Sequence, residues 1–259
     1  MDGLTSVGRY IFAISMGAFG VQYFIYAHSA PDLNNIPPYT VARPLAGYVI
    51  GAGLVIASMS LAFGKKASQS ARLLGVVFFL VFLIFCLPKI LAFLLQRSWG
   101  QALDTRGFET LAMAATALVL AAAFPAEGDD VLGRPFDVGT TAQAGGFLFA
   151  ISLATFGIFH VRYPSVVASL IPAWIPGRLF LAYFTGAGFL AAALSIASRK
   201  VTRLAGCLLA AMFLVWVVVL HGPRVAHALY NGDEWSSLLV ALCMSGSGFI
   251  FAGAFHEKR

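Results

Sequence analysis

The chain has 259 residues, of which 59 % are hydrophobic and 11 % charged, and its formal net charge is +6. A water-soluble domain carries about 25 % charged residues, so this composition excludes a soluble globule and requires lipid to cover the surface. The bases stand at the ends of apolar runs, not in a stripe interleaved with stacking aromatics, which excludes nucleic acid as a partner and reads as a membrane topology signal.

A spanning helix needs about 20 mostly apolar residues. The sequence predicts eight, at 8–28, 44–63, 71–95, 108–125, 145–163, 178–197, 203–221 and 236–255. The first run is long enough to remain as an anchor, so no cleaved signal is expected. Breaks fall at Pro37-Pro38, Gly64-Lys65-Lys66, Trp99-Gly100, Gly128-Asp129-Asp130, Pro176-Gly177 and Asn231-Gly232-Asp233. Helices are the default because a backbone in lipid must satisfy its own polar groups. Pro88 and Pro223, late in the third and seventh runs, predict bends. Residues 164–177 are too few to span and predict a surface helix or a lid over the outer opening. Cys86, Cys207 and Cys243 each sit alone in an apolar run with no C-x-x-C, as packing residues do.

The chain repeats itself. Residues 8–26 and 145–163 share eight of nineteen positions without a gap, and residues 36–61 and 171–196 share nine of twenty-six. The second match aligns Arg43 with Arg178, Tyr48 with Tyr183, and Gly51 and Gly53 with Gly186 and Gly188, which apolar composition alone would not do. Phe79-Leu80-Val81 ahead of Pro88-Lys89 matches Phe213-Leu214-Val215 ahead of Pro223-Arg224. The expected fold is all-α and membrane-embedded, with eight transmembrane helices in two four-helix repeats: 1–125, an acidic cytoplasmic linker at 126–144, and 145–259. Four crossings return the chain to its starting side, so the two repeats run in the same sense. Lys65, Lys66, Arg72, Arg199, Lys200, Arg203, Lys258 and Arg259 all fall on one side, which the positive-inside rule makes cytoplasmic together with both termini.

Residues 171–180 (IPAWIPGRLF) with Ala182-Tyr183-Phe184-Thr185-Gly186, the FAISLATFGIFH core of 145–163, and Leu220-His221-Gly222-Pro223-Arg224 resemble the DoxX-like family of bacterial integral membrane proteins. The resemblance covers the second half well and the first more weakly. It implies a four-helix membrane unit, here in tandem, in the bacterial cytoplasmic (inner) membrane. It also implies association with redox systems; some relatives look like the membrane subunit of thiosulfate:quinone oxidoreductase.

The residues able to carry chemistry collect at the outer side. In the second repeat they are His160, Arg162, Arg178, His221, Arg224, His227 and Glu234; in the first, Tyr23, Arg43, Lys89 and Glu109 correspond, with Leu87 set opposite His221. A quinone needs an apolar slot and donors facing its carbonyls. His160, Arg178 and His221 are the candidate donors, with Tyr183 and Trp174 at the lip and Arg224 and Glu234 nearby; Arg43, Tyr48, Lys89 and Glu109 are the first-repeat counterparts. Plainer readings stand beside this one: arginines that snorkel or brace loops, tryptophans and tyrosines of an interfacial belt, and histidines bonded within the core. Glu109 and Glu234 open the fourth and eighth helices, where a carboxylate suits the helix N-terminus, or pair with Arg178 or Arg224. No metal site is expected, since His221 and His227 are poorly spaced for one helix face.

The functional reading is a membrane anchor or accessory subunit of a redox or respiratory complex. It would contact lipid and other membrane or redox subunits, with quinone as the one cofactor in view and no activity of its own. The alternatives are a small-molecule or ion carrier, or a quinone-linked oxidoreductase subunit with its own activity.

Overall fold

The computed structural model describes residues 2–26, 42–95, 105–124 and 138–255; Pro37-Pro38, Trp99-Gly100, residues 126–137 of the expected linker and residues 256–259 lie outside them. Among the described residues there is no strand. The helices are α1 (Gly3–Ile25), α2 (Ala42–Phe63), α3 (Ala67–Val81), α4 (Leu87–Leu95), α5 (Arg106–Ala123), α6 (Val138–Arg162), the short α7 (Pro164–Leu170), α8 (Arg178–Ser198), α9 (Thr202–Trp216), α10 (Gly222–His227) and α11 (Gly232–Ala254). A π turn at Phe82–Cys86 joins α3 to α4, and another at Val217–His221 joins α9 to α10. With each joined pair taken as one crossing, eight helices are long and apolar enough to span a membrane.

Several helices begin before their apolar runs do, because capping and not hydropathy decides where a backbone starts to coil. Asp2 accepts the Leu4 amide at 2.8 Å and starts α1. Asn231 accepts the Asp233 amide at 2.9 Å and starts α11. α6 begins at Val138 rather than 145, so 138–144, expected as linker, is helical. The seventh crossing passes His221 and ends at His227.

Proline lacks the N–H that would bond four residues back, and its ring crowds that carbonyl. The helix meets both demands by widening just ahead of Pro88 and Pro223. The Leu87 amide bonds the Phe82 carbonyl and the Gly222 amide bonds the Val217 carbonyl, five residues back. Counted from the prolines, Cys86 stands where His221 stands, which corrects the expected match of Leu87 with His221.

α1 packs on α2 and α11, and α6 on α8 and α5; α3 packs on α5, and α9 on α11. α2 meets α3 and α8 meets α9, so the contacts close on themselves, with α5 and α11 also touching across the middle. Small residues permit these approaches. A Cβ on Gly8 would lie 2.5 Å from the Gly246 carbonyl, one on Gly20 2.7 Å from that of Gly51, and one on Gly157 2.9 Å from that of Gly186. Between α5 and α11 the buried Thr116 hydroxyl donates to Ser247 Oγ at 2.9 Å. The outward faces are apolar: Ile56 is 67 % exposed, Leu194 71 % and Val218 71 %, surface that only lipid can cover at low cost.

The two tight loops of one end share a geometry. Ser60 donates to the Lys65 carbonyl and Ser195 to that of Lys200. Gly64 and Lys66 in one loop, and Arg199 and Val201 in the other, take positive φ. At this same end Arg203 pairs with Asp2 at 3.1 Å, Arg9 lies over Tyr10 and Phe124, and Arg199 lies over Phe255.

Gly246→Ala would drive a methyl to 2.8 Å from the Phe12 amide, whereas nothing lies within 4 Å of a Cβ on Gly53. Gly246→Ala is expected to lose about 1–3 kcal/mol of stability and Gly53→Ala almost none, measured as unfolding by SDS in mixed micelles.

Candidate functional site

The polar residues at the opposite end are set by the second π turn and the turn that follows α10. Pro223 sits early in α10, which is short and leads through residues 228–231 to the Asn231 cap of α11. That path brings Arg224 against Glu234 in the first turn of α11. Arg224 Nη2 donates to Glu234 Oε1 at 2.9 Å, and Nε lies 2.8 Å from Oε2. The guanidinium thus donates one hydrogen bond and lies within ion-pair distance of the second oxygen, which accepts no hydrogen bond among the described residues. Of the two roles open to Glu234 in the sequence, both are realised: it stands in the first helical turn and pairs with Arg224. Trp235 Nε1 donates to the Leu229 carbonyl at 2.9 Å and braces the same turn.

Beside this pair lies a cleft of about 570 Å³. One wall is the segment after α7, with Ile171 and Trp174; the other is the seventh crossing, with Leu220, Pro223, Arg224 and His227. Arg178 closes it from the start of α8. Arg178 is exposed in the first turn of α8, one turn before Ala182 and two before Thr185, both buried. Trp174 is 72 % exposed at the rim. The segment expected as a surface helix or lid is thus the short helix α7 packed on α8, followed by one side of the cleft.

The expected three-donor pocket does not form as one unit. Arg178 and Trp174 line the cleft, and His160, His221 and Tyr183 are not on its wall. His160 Nδ1 lies 2.8 Å from the Phe156 carbonyl, where it donates, and the ring meets Phe189 edge-on at 5.1 Å. Its backbone is held close to α8 by Gly186, where a Cβ would lie 2.8 Å from that of His160. His221 ends the π turn between two cleft residues; its Nδ1 is buried with no hydrogen-bond partner among the described residues. Tyr183 is exposed on α8, away from the cleft, like Tyr48 on α2, which stacks on Phe24 with ring centres 6.2 Å apart. Lys89 is exposed on α4 and Glu109 lies in the first turn of α5; Arg43 lies in the first turn of α2, its side chain outside the described residues. His227 is the cleft residue left out of the expected pocket. Its signal was its place three residues after Arg224, on the same helix face.

The arrangement offers a fixed ion pair, a second guanidinium, an imidazole and apolar walls, open at one end of the bundle. Among the described residues no three His, Cys, Asp or Glu side chains converge. Comparisons with protein-family models, with curated proteins and with solved structures find no match.

Glu234→Gln removes the charge that answers Arg224. Because the two side chains are 33 % and 19 % exposed, water screens part of the loss, and a drop of about 1 kcal/mol is expected in detergent unfolding. Arg224→Lys should lose a similar amount, since an ammonium lacks the fork that sets Nη2 on Oε1 while Nε stays beside Oε2.

Proposed function

We propose that this protein is a membrane-embedded accessory subunit of the DoxX-like kind, built from two four-helix repeats of the same sense, whose second repeat holds a lipophilic ligand at the bilayer interface. The cleft beside the Arg224–Glu234 pair carries this reading: its size suits a quinone ring or a lipid head, and its wall mixes an apolar floor with a few fixed donors. A complete set of nucleophile, base and oxyanion donors is not assembled there. Anchoring or presenting a ligand to a redox partner therefore fits the site better than turnover by this chain alone.

Duplication is supported by details that hydropathy does not carry. The two π turns, the paired Ser60–Lys65 and Ser195–Lys200 loops, and the contacts of Gly20 with Gly51 and Gly157 with Gly186 recur at matched positions. The crossing contacts recur too, with α1 against α11 as α6 is against α5. Divergence between the halves is chemical, with His160 and His221 where Tyr23 and Cys86 stand; the ligand role falls to the second half because the cleft is lined by its residues, from Ser169 to His227.

Orientation follows from charge. At the end with the two tight loops, Arg9, Lys65, Lys66, Arg72, Arg199, Lys200 and Arg203 outnumber the single acid Asp2 among the described residues. That end faces the cytoplasm in this reading, with both termini, and the cleft faces outward across the inner membrane. A thiol-reactive, membrane-impermeant label on intact cells is expected to reach Tyr230→Cys, which is 94 % exposed near the cleft, and not Lys65→Cys; the reverse pattern overturns the orientation.

Purification in mild detergent, followed by an absorption spectrum, lipid extraction and identification of copurifying chains, tests the function. A bound quinone, lipid or redox subunit is expected, and a bare chain would contradict the reading. Arg178→Ala should lower ligand retention roughly tenfold, as loss of a charged hydrogen bond does. His160→Ala and His221→Ala should act weakly, because neither side chain lines the cleft.

A further inference from the structure

We infer that the cleft between α8 and α10 takes the phosphate-bearing head of an anionic membrane lipid, with Arg178 as its principal contact and His227 and Arg224 on the facing wall. The inference rests on the reading of this cleft as a ligand site and names the class of ligand.

Charge is the first ground. The wall carries Arg178, Arg224 and His227 and no carboxylate. Arg224 is answered by Glu234 behind it. Arg178 is exposed in the first turn of α8, and among the described residues it has no hydrogen-bond or ion partner although it lines the cleft. A neutral ring seated there would strip water from a guanidinium and return no charge, which is costly. A phosphate diester supplies the anion, and its two free oxygens match the planar fork of arginine.

Position is the second ground. An arginine that merely snorkels reaches outward from a lipid-facing position, whereas the exposed Arg178 lines the cleft together with Arg224 and His227. The remaining wall also sorts by chemistry. The Ser169 hydroxyl is already spent on the Val166 carbonyl at 2.7 Å, and Leu170, Leu220 and Pro223 offer only apolar surface. A molecule with a charged head and an apolar stem satisfies both parts. Free inorganic phosphate would meet the same cations but gain nothing from the apolar wall.

Trp174 at the rim provides the readout. The full chain is placed in phosphatidylcholine nanodiscs containing a low fraction of brominated phosphatidylglycerol or brominated phosphatidylcholine, and Trp174 emission is taken as the difference from Trp174→Phe. Quenching should favour the phosphatidylglycerol probe by roughly tenfold. Arg178→Gln should abolish that preference and Arg178→Lys retain part of it, because lysine keeps the charge without the fork. Equal quenching by the two lipids, or a preference unchanged in Arg178→Gln, overturns the inference. So does relief of quenching by inorganic phosphate at millimolar concentration, which would make the free ion the ligand. A short-chain quinone that quenches Trp174 while the two lipids act alike sinks this inference but leaves the ligand-site reading standing; no response to any of the three probes sinks both.

Discussion

Close approach of helix backbones through glycine is the constraint on which the rest of this molecule depends. Between lipid-facing helices there is little to gain from expelling water, so association must come from contact. Gly8 against Gly246, Gly20 against Gly51, Gly157 against Gly186 and Gly206 against Gly248 provide that contact. Once these faces are committed to neighbours, the opposite faces are left to bulky apolar residues and the polar ones are driven to the two ends. The buried hydroxyls that remain inside, such as Thr116, Ser152 and Ser247, donate to a carbonyl one turn back or to one another.

The two ends then differ in kind. One carries two short loops, each fastened by a serine to a lysine carbonyl, and Arg9 and Arg199 there lie over aromatic rings. The other must connect longer crossings, and there the chain uses a short helix, an ion pair and an indole bond to keep the ends in place. A cleft arises where those connecting pieces do not fill the space between α8 and α10. Its chemistry is that of the residues that hold the connection, which is why structural and ligand roles overlap in Arg224.

Much of the architecture was legible in the sequence. The eight spans follow from apolar length, because in lipid that length is the physical requirement. The pairing of Glu234 with Arg224 was legible as one of two readings, since a carboxylate opening one helix faces the end of the helix before it. What could not be read was set by backbone hydrogen bonds. Counting apolar residues does not reveal that Asp2 and Asn231 cap helices earlier than hydropathy begins, nor that α6 extends back to Val138. His160, Arg178 and His221 looked convergent because all lie near one end. In space His160 turns toward its own helix carbonyl and Phe189, and His221 is held in a widened turn off the cleft wall.

That widened turn has a wider consequence. One extra residue within a helix advances every later side chain by about 100°. Arg224 and His227 lie beyond the Val217–His221 turn, and Lys89 beyond the Phe82–Cys86 turn. The azimuth of each outer segment is therefore decoupled from that of the long helix beneath it. The inner part of each crossing can keep its glycine seams fixed while the outer part is dialled independently.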